Sequence, residues 1–242
     1  MMKNILIPTT LEQDTVQALK TALAQAAEKQ ITIILMQLKE SPDAASAAFW
    51  LRKMQHDLTP SQEAILELCQ DMASFHPNCK LSVQQQFSIT KPLLRNFMEA
   101  CEIGLVIVPN SFAQSRKFLD KHFLQLVKKG KTPILQLSPE FGEHAFSKAL
   151  FIENSQSHIQ AADLPKMIGG HFSFRVISQA KFFDEQNHEE MTPILYETIN
   201  KNGIDLLIET RKPEKMKLFK NNNFTLNETF GLPVLSVCES VN

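Results

Sequence analysis

The stretch that decides the fold is LVIVPNSFAQSRKFL, residues 105–119. It begins with an apolar run rich in β-branched residues, continues as a polar loop after Pro109, and ends where a helical pattern starts. A short continuous apolar run is typical of a strand that is buried on both faces of a parallel sheet. The segment therefore predicts a strand, a loop and a helix, which is the junction where open α/β proteins hold their ligands.

The same alternation of apolar runs and helical patterns extends in both directions from this stretch. Pro60 follows a threonine and Pro92 follows a lysine, and each proline suits the first turn of a helix. Thr10 with Gln13, or Thr9 with Glu12, predicts a capping box for the first helix. Because parallel strands need crossover connections, the alternation predicts a doubly wound parallel sheet. Its five strands are expected at 4–10, 31–38, 80–88, 104–109 and 133–137.

Two further helices are predicted from the spacing of apolar residues. One lies between Ser41-Pro42 and Leu58 and contains Trp50, the only tryptophan. The other follows residue 117 and has an apolar stripe on one face. That stripe consists of Phe118, Leu119, His122, Phe123, Leu126 and Val127.

The second half of the chain repeats the pattern of the first half in a shortened form. Four segments match in the same order, although each match is weak by itself. The offset between the copies is about 144 residues at the first strand and about 101 later, so the second copy lacks about 43 residues near its front. The matching segments are 148–155 with the first strand, 193–195 with 92–94, 204–210 with 104–109, and 230–237 with 130–137.

A deletion of this length removes one strand and one helix. We therefore expect a five-stranded first domain, residues 1–140, and a shortened four-stranded second domain, residues 141–242, with the boundary in the turn-rich stretch 138–146. One further strand of the second domain is predicted at 172–178. The pattern leaves open which strand and helix are missing from the second copy.

Composition limits the class of protein. Apolar residues make up 43% and charged residues 21% of the 242 residues, and the formal net charge is −1. This charge gives no global attraction for nucleic acid or anionic membranes. The four cysteines lack metal-ligand spacing and predict reduced thiols. No segment is apolar enough to be a signal peptide or a membrane span, so we expect a cytoplasmic protein without membrane or nucleic-acid partners.

The chain resembles the tandem universal stress proteins. The resemblance rests on the βαβαβαβαβ order, on ILIP in the first strand, LVIVP in the fourth and TPILQL in the fifth, and on the duplication. It covers nearly the whole chain and is stronger before residue 140 than after it. A nucleotidyl transferase or one half of an electron-transfer flavoprotein shares much of this order.

The resemblance also indicates which ATP-binding residues the chain lacks. In the ATP-binding branch of that family an aspartate ends the first strand, and a glycine pattern follows the fourth strand so that backbone N–H groups reach the phosphates. Here Thr10 and Asn154 stand at the aspartate positions of the two copies, and neither loop after a fourth strand contains glycine. The sequence is thus similar to the non-ATP-binding type, and we expect no cofactor, ATP included.

Basic residues stand in the loop where the glycines are missing. Arg116 and Lys117 follow Ser115 in the first copy, and Arg211, Lys212 and Lys215 lie in the corresponding loop of the second. Cationic side chains that replace a backbone nest would form an anion site. The competing interpretation is a solvated loop whose long side chains extend into water, which is the usual role of short charge runs.

The sequence offers little support for catalysis. The seven histidines form no HxxxH or HExxH pair, and no GxSxG elbow surrounds Ser111 or Ser115. The carboxylates near His188 in DEQNHEE, residues 184–190, lack an evident second partner. We therefore expect neither an enzyme nor a metal site, and a nucleotide-using enzyme ranks third among the hypotheses.

The resemblance implies a non-enzymatic regulatory or stress-response protein with an unidentified protein partner and possible homo-oligomers. Because family members commonly dimerise through the last strand, we expect 134–137 and 234–237 to pair within the chain as a pseudo-dimer. The alternative is a binder of small molecules, nucleotides or anions in the crevice at the C-terminal ends of strands 1 and 4. That crevice should be open in a binder and filled by Phe112 or Phe118 in a pure interaction protein. Its candidate residues are Thr10, Asn110, Ser111, Arg116 and Lys117.

Overall fold

The computed structural model describes residues 4–26, 30–40, 58–139, 146–154, 161–164, 168, 174–182, 188–211 and 226–239. The strands are β1 (Asn4–Pro8), β2 (Ile31–Lys39), β3 (Cys79–Phe87), β4 (Ile103–Val108), β5 (Ile134–Gln136), β6 (Lys148–Asn154), β7 (Arg175–Phe182), β8 (Leu206–Arg211) and β9 (Val234–Cys238). The α-helices are α1 (Asp14–Ala26), α2 (Pro60–Ser74), α3 (Lys91–Ala100), α4 (Asn110–Ala113), α5 (Phe118–Lys128), α6 (His188–Asn202) and α7 (Leu226–Phe230).

All nine strands belong to one sheet, in the order β3-β2-β1-β4-β5-β9-β8-β6-β7. The first five strands form a parallel doubly wound half, and β9, β8, β6 and β7 form a parallel four-stranded half. The predicted fold class, with a full first half and a shortened second half, is confirmed. β6, β7, β8 and β9 take the neighbour positions of β1, β2, β4 and β5. The described residues of the second half include no counterpart of edge strand β3 or of the helix that precedes it.

The two halves meet at the one antiparallel pair among the described strands. Ile134 lies opposite Ser236, Leu135 opposite Leu235 and Gln136 opposite Val234. These are the two segments that the sequence expects to pair within the chain. Because β5 and β9 run in opposite directions, the C-terminal edge of the second half lies at the same side as the N-terminal edge of the first half.

The hydrophobic core has two layers, one on each face of the sheet. On the face covered by α1 and α2, a single buried cluster extends from Ile5 in β1 through Leu135 and Leu235 to Phe151 in β6. On the other face, one cluster lies under α3, α4 and α5 and a separate one under α6 and α7. The junction is therefore packed continuously on one face, which fixes the two halves against each other.

Local sequence signals explain where several helices start. Thr59 caps α2, Pro60 occupies its first turn, and Thr59 and Gln62 form a reciprocal capping box. Thr90 caps α3 in front of Pro92. In the second half the corresponding proline differs, because Pro193 lies inside α6 rather than at its start.

Other expectations need adjustment. The strand predicted at 172–178 is β7, which begins at Arg175. Phe118 does not belong to the buried stripe of α5, since it is 77% exposed while Phe123 and Val127 are buried. The helix predicted around Trp50 and the segment 212–225 lie outside the described residues. Among the described helices, none combines the length and the apolar character needed to cross a membrane.

Candidate functional site

The candidate residues of the first half lie along a crevice at the C-terminal ends of β1 and β4. The crevice has a volume of about 840 Å³. One wall is the loop after β1, another is the start of α2, and the third is the loop between α4 and α5. Its lining includes Thr10, Gln62, Ser111, Gln114, Arg116 and Lys117. The parallel sheet thus brings together segments that are about a hundred residues apart.

Thr10 and Ser111 meet at the base of the crevice, where their hydroxyl oxygens are 3.1 Å apart. Ser111 donates its hydroxyl proton to Asp14 Oδ1 at 2.7 Å and its backbone N–H to Asp14 Oδ2 at 2.6 Å. Because Ser111 uses its one hydroxyl proton on Asp14, the single Thr10 hydroxyl proton is donated either to Ser111 or to the carboxylate of Glu12 at 3.2 Å. Asp14 therefore holds the backbone immediately after β4 with two charge-assisted hydrogen bonds.

The loop before α1 delays the start of this helix and gives Asp14 its position. Leu11 is buried and has a left-handed backbone (φ 56°), a conformation that side chains other than glycine adopt rarely. The Thr9 hydroxyl stabilises the turn, because it accepts the Leu11 N–H at 2.8 Å and lies 2.7 Å from the Thr15 hydroxyl. The helix begins at Asp14, so the capping boxes predicted for Thr9 and Thr10 are wrong.

Gln62 connects the crevice to α2. Its side-chain oxygen accepts the Thr59 N–H at 3.0 Å in the capping box, and its amide donates to the Thr10 carbonyl at 3.0 Å. The same side chain therefore caps a helix and holds the loop after β1. Gln62 and Asp14 are site residues that the sequence reasoning missed. An acidic residue in the first turn of α1 and a glutamine three residues after Thr59 were the available signals.

Arg116 and Lys117 line the opposite wall, and both side chains are exposed. Lys117 is the N-cap residue of α5. Ser115 accepts the Lys117 N–H at 3.3 Å and donates to the buried carboxylate of Asp120 at 2.5 Å. Within the part of the chain that the structure describes, the two cationic side chains make no hydrogen bond or ion pair, and their charges face the crevice and the solvent.

Three further residues named in the sequence predictions lie outside the open space of the crevice: Asn110, Phe112 and Phe118. Asn110 is half-buried at the first position of α4 and lies outside the lining. Phe112 is fully buried against Phe123, with ring centroids 5.8 Å apart in an edge-to-face arrangement. Phe118 stacks on His122 at 5.9 Å on the surface. Neither phenylalanine fills the crevice, which is open beside Thr10 and Ser111.

The second half does not reproduce this arrangement. Arg211 is not a loop cation, as the sequence expects, but the last residue of β8. Its guanidinium donates to four backbone carbonyls, those of Lys128 at 3.1 Å, Gly130 at 3.1 Å, Thr132 at 2.5 Å and Ser236 at 2.8 Å. Four carbonyls from both halves thus use most of its donors, so Arg211 fits neither interpretation of this loop, the anion site or the solvated loop. Lys212, Lys215 and the side chain of Asn154 are outside the described part.

Cysteine and metal chemistry have little support at the described positions. All four cysteines are free, and burial raises the pKa of the Cys69 thiol to about 11. A thiol with this pKa is protonated at neutral pH and is a poor nucleophile. Among the described residues, no group of three or more histidine, cysteine, aspartate and glutamate side chains is arranged to hold a metal ion.

Comparison with solved structures identifies the class of fold. A universal stress protein from Archaeoglobus fulgidus superposes with a TM-score of 0.53 and 11% identity over 98% of this chain and 99% of the other. Two Pseudomonas aeruginosa proteins each give a TM-score of 0.52 and 13% identity over 98% of this chain. One of them is described as a universal stress protein and is covered over 93% of its length; the other has no known function and is covered over 92%.

These matches span the whole chain, so the resemblance predicted from the sequence is confirmed at the level of the fold. The chain has the two-half architecture of universal stress proteins. No protein-family model matches the chain. No curated protein sequence matches it either. With identities of 11–13%, the likeness describes the architecture, and the function depends on the residues of the site.

Proposed function

We propose that this chain is a non-enzymatic regulatory protein with the fold of universal stress proteins. In this proposal the first half does not bind ATP, and the second half serves as its built-in partner. The stress-response role follows from the fold by analogy. The proposal about ATP rests on one contact, the carboxylate of Asp14 at Ser111.

Asp14 occupies the position where a phosphate would need hydrogen-bond donors. A phosphate at the edge of an open α/β sheet is held by backbone N–H groups just after a strand. Here the Ser111 N–H and hydroxyl are both directed to Asp14, at 2.6 and 2.7 Å. A phosphate oxygen at this place would lose these donors and meet a negative charge at close range. Like charges a few ångströms apart repel strongly.

The junction of the halves supports the role of the second half. β9 pairs with β5 through Leu135 and Leu235, and both side chains are fully buried in the shared core. The edge of β5 is then unavailable to another molecule, since an edge strand pairs with only one further strand. We interpret this pair as an intramolecular pseudo-dimer. It also accounts for a second half that tolerates the loss of its outer strand.

A thermal melt with and without millimolar ATP and Mg²⁺ tests the first proposal. A ligand at a hundred times its dissociation constant stabilises the folded state by about 2.7 kcal/mol, which a melt detects. We expect no shift. A clear upward shift in the parent protein that disappears in Thr10→Ala or Arg116→Ala would overturn the proposal.

The open crevice favours a second candidate function, the binding of a small anion. Arg116 and Lys117 provide two exposed charges, while Gln62 and Gln114 provide amide groups on the same lining. Because the Asp14 carboxylate at the base of the crevice repels an anion, the anion would bind at the outer wall. The candidate ligand is therefore a compact phosphate or carboxylate compound that is smaller than a nucleotide.

Titration calorimetry with inorganic pyrophosphate tests this candidate. We expect binding by the parent protein and a loss of about tenfold or more in affinity in Arg116→Ala/Lys117→Ala, since each charge-assisted contact contributes about 1.5 kcal/mol or more. The matched control is Lys80→Ala/Lys201→Ala, which removes the same charge at two exposed lysines outside the crevice. Equal affinities in all three proteins would exclude the crevice as the site.

A further inference from the structure

A second cavity lies between α3 and α5, at the N-terminal end of β4. It is a groove of about 830 Å³ beside Ile103, the first residue of β4. The crevice described above lies beyond the other end of this strand. The groove shares none of its lining residues with the crevice, so it is an independent site.

The floor and walls of the groove contain a continuous set of apolar side chains. Leu94, Ile103 and Val127 are core residues whose edges reach the groove. Met98 and Leu126 are half-buried and stand at its sides. A concave site of this volume with an apolar lining falls in the range that binds small organic molecules.

The rim of the groove is charged, and positive charge predominates. Lys91 and Arg95 lie along α3, and Lys129 and Lys131 lie after the end of α5. Glu99 and Glu102 contribute the negative charges, so the lining carries four cations against two carboxylates. An apolar floor with a mainly cationic rim is complementary to a molecule with an apolar body and an anionic head group.

One wall of the groove is fixed by the second half of the molecule. This wall is the backbone at 129–132, and its Gly130 and Thr132 carbonyls accept hydrogen bonds from Arg211 at 3.1 and 2.5 Å. The Arg211 Nε group holds the end of α5 through the Lys128 carbonyl at 3.1 Å. A wall held in this way reduces the entropy that a ligand must overcome on binding.

We infer that this groove binds a small amphipathic anion, a carboxylate with an aliphatic chain of medium length. The chain lies along Leu94, Met98 and Leu126, and the carboxylate faces the cationic rim. This site is separate from the crevice, and it does not depend on the proposed function of the crevice.

A substitution of Glu102 should have the opposite effect on the affinity for an anion from the loss of a cation. It follows the C-cap of α3 with a left-handed backbone (φ 49°), a position where glycine is favoured. Glu102→Gly removes one carboxylate from the rim and relieves an unfavourable backbone conformation. It should therefore preserve or improve stability while it strengthens the binding of an anion.

The experiment is a calorimetric titration of the full chain with decanoate below its micelle concentration. We expect one binding site with a dissociation constant of about 1 mM or tighter. Butyrate has the charge without the chain, and decanol has the chain without the charge, so both should bind more weakly. Absence of decanoate binding, or equal binding of decanol, overturns the proposal.

Substitutions in the lining of the groove test whether decanoate binds there. Arg95→Ala/Lys131→Ala should weaken decanoate binding by about fivefold or more, and Glu102→Gly should strengthen it by about twofold or more. Met98→Trp fills the groove and should abolish binding. Lys80→Ala/Lys201→Ala, which removes the same charge at two exposed lysines outside the linings of both the groove and the crevice, should leave it unchanged. A thermal melt of each variant verifies that it is folded. If folded Met98→Trp binds decanoate as the parent does, the ligand lies elsewhere and the inference is wrong.

Discussion

Arg116 lies in a loop beyond β4, and Arg211 is the last residue of β8, the corresponding strand of the other half. The surroundings of the two arginines are nevertheless opposite. Arg116 is exposed beside an open crevice, and its side chain makes no hydrogen bond or ion pair within the described part of the chain. Arg211 is half-buried and donates to four carbonyls at the junction of the halves. One cation is available to a ligand, and the other holds the protein together.

The difference follows from what each strand edge faces. The edge after β4 faces solvent, whereas the edge after β8 faces the end of α5, because β9 and β5 run antiparallel. The last carbonyls of a helix lack partners within the helix and attract positive charge. An arginine at the junction therefore satisfies exposed acceptors of the neighbouring half, and the same residue type at the crevice has no such acceptors.

The largest expected effect on stability belongs to Arg211. Arg211→Ala leaves the Lys128, Gly130, Thr132 and Ser236 carbonyls without their donor, and it also removes the positive charge near Glu209. We expect the free energy of unfolding to fall by about 3 kcal/mol. Urea denaturation followed by circular dichroism measures this change.

Arg211→Lys is the matched control, because lysine keeps the charge but cannot reach four carbonyls with one ammonium group. It should recover only part of the loss. A full recovery would indicate that charge alone matters, and a loss below about 1 kcal/mol in Arg211→Ala would remove the contrast with Arg116.

Asp14 is expected to have the next largest effect. Asp14→Ala removes two hydrogen bonds from Ser111, one to the backbone and one to the hydroxyl. The site is partly open to water, which can replace the lost acceptor, so we expect a destabilisation of about 1–2 kcal/mol. Chemical denaturation measures it, with Glu12→Ala as the control from the same loop. If both variants lose equally little, Asp14 does not hold the edge of the crevice.

Glu209 gives a smaller effect that depends on pH. Burial raises the pKa of this carboxyl above its ordinary value of 4.5, while the Ser236 hydrogen bond and the charges of Lys128 and Arg211 oppose the rise. A raised pKa means that folding favours the protonated form. The associated stability is present below pH 4.5 and is lost as the pH rises through the pKa of the folded state.

Glu209→Gln cannot ionise, so it avoids this loss. We expect the variant to be more stable than the parent at pH 8 by up to about 1 kcal/mol, and the difference should disappear toward pH 4. Urea denaturation at the two pH values measures both quantities. A variant that is less stable than the parent at pH 8, with the difference again vanishing toward pH 4, would show that the carboxylate is stabilised by its neighbouring cations and that the sign of the shift is wrong.

The sequence was informative about the fold because the strands of a parallel sheet are continuous apolar runs. LVIVP and ILIP become β4 and β1, and the matching segment IDLLIET becomes β8. The pairing of β5 with β9 was expected from the resemblance to tandem universal stress proteins, whose members commonly dimerise through the last strand. Helix positions in the second half were less predictable, since Pro193 suits a helix start but lies inside α6.

The site was less predictable than the fold. The crevice position and Thr10, Ser111, Arg116 and Lys117 follow from where strands end. Asp14 and Gln62 depend on side-chain contacts across 97 and 52 residues, which local patterns do not contain. The role of Arg211 depends on the antiparallel junction. A charge run looks the same in the sequence whether a neighbouring half covers it or not.

The smallest expected effect on stability belongs to Arg116 and Lys117, and it is the sharpest test of the comparison. Because neither exposed side chain holds another described group, Arg116→Ala/Lys117→Ala should change the free energy of unfolding by less than about 0.5 kcal/mol, against about 3 kcal/mol for Arg211→Ala. The Lys117 N–H contact to Ser115 is a backbone contact and survives the substitution. Urea denaturation of both proteins in one buffer gives the ratio. A large loss in the double variant would mean that these cations are structural as well, and the crevice would then have no free charge to offer a ligand.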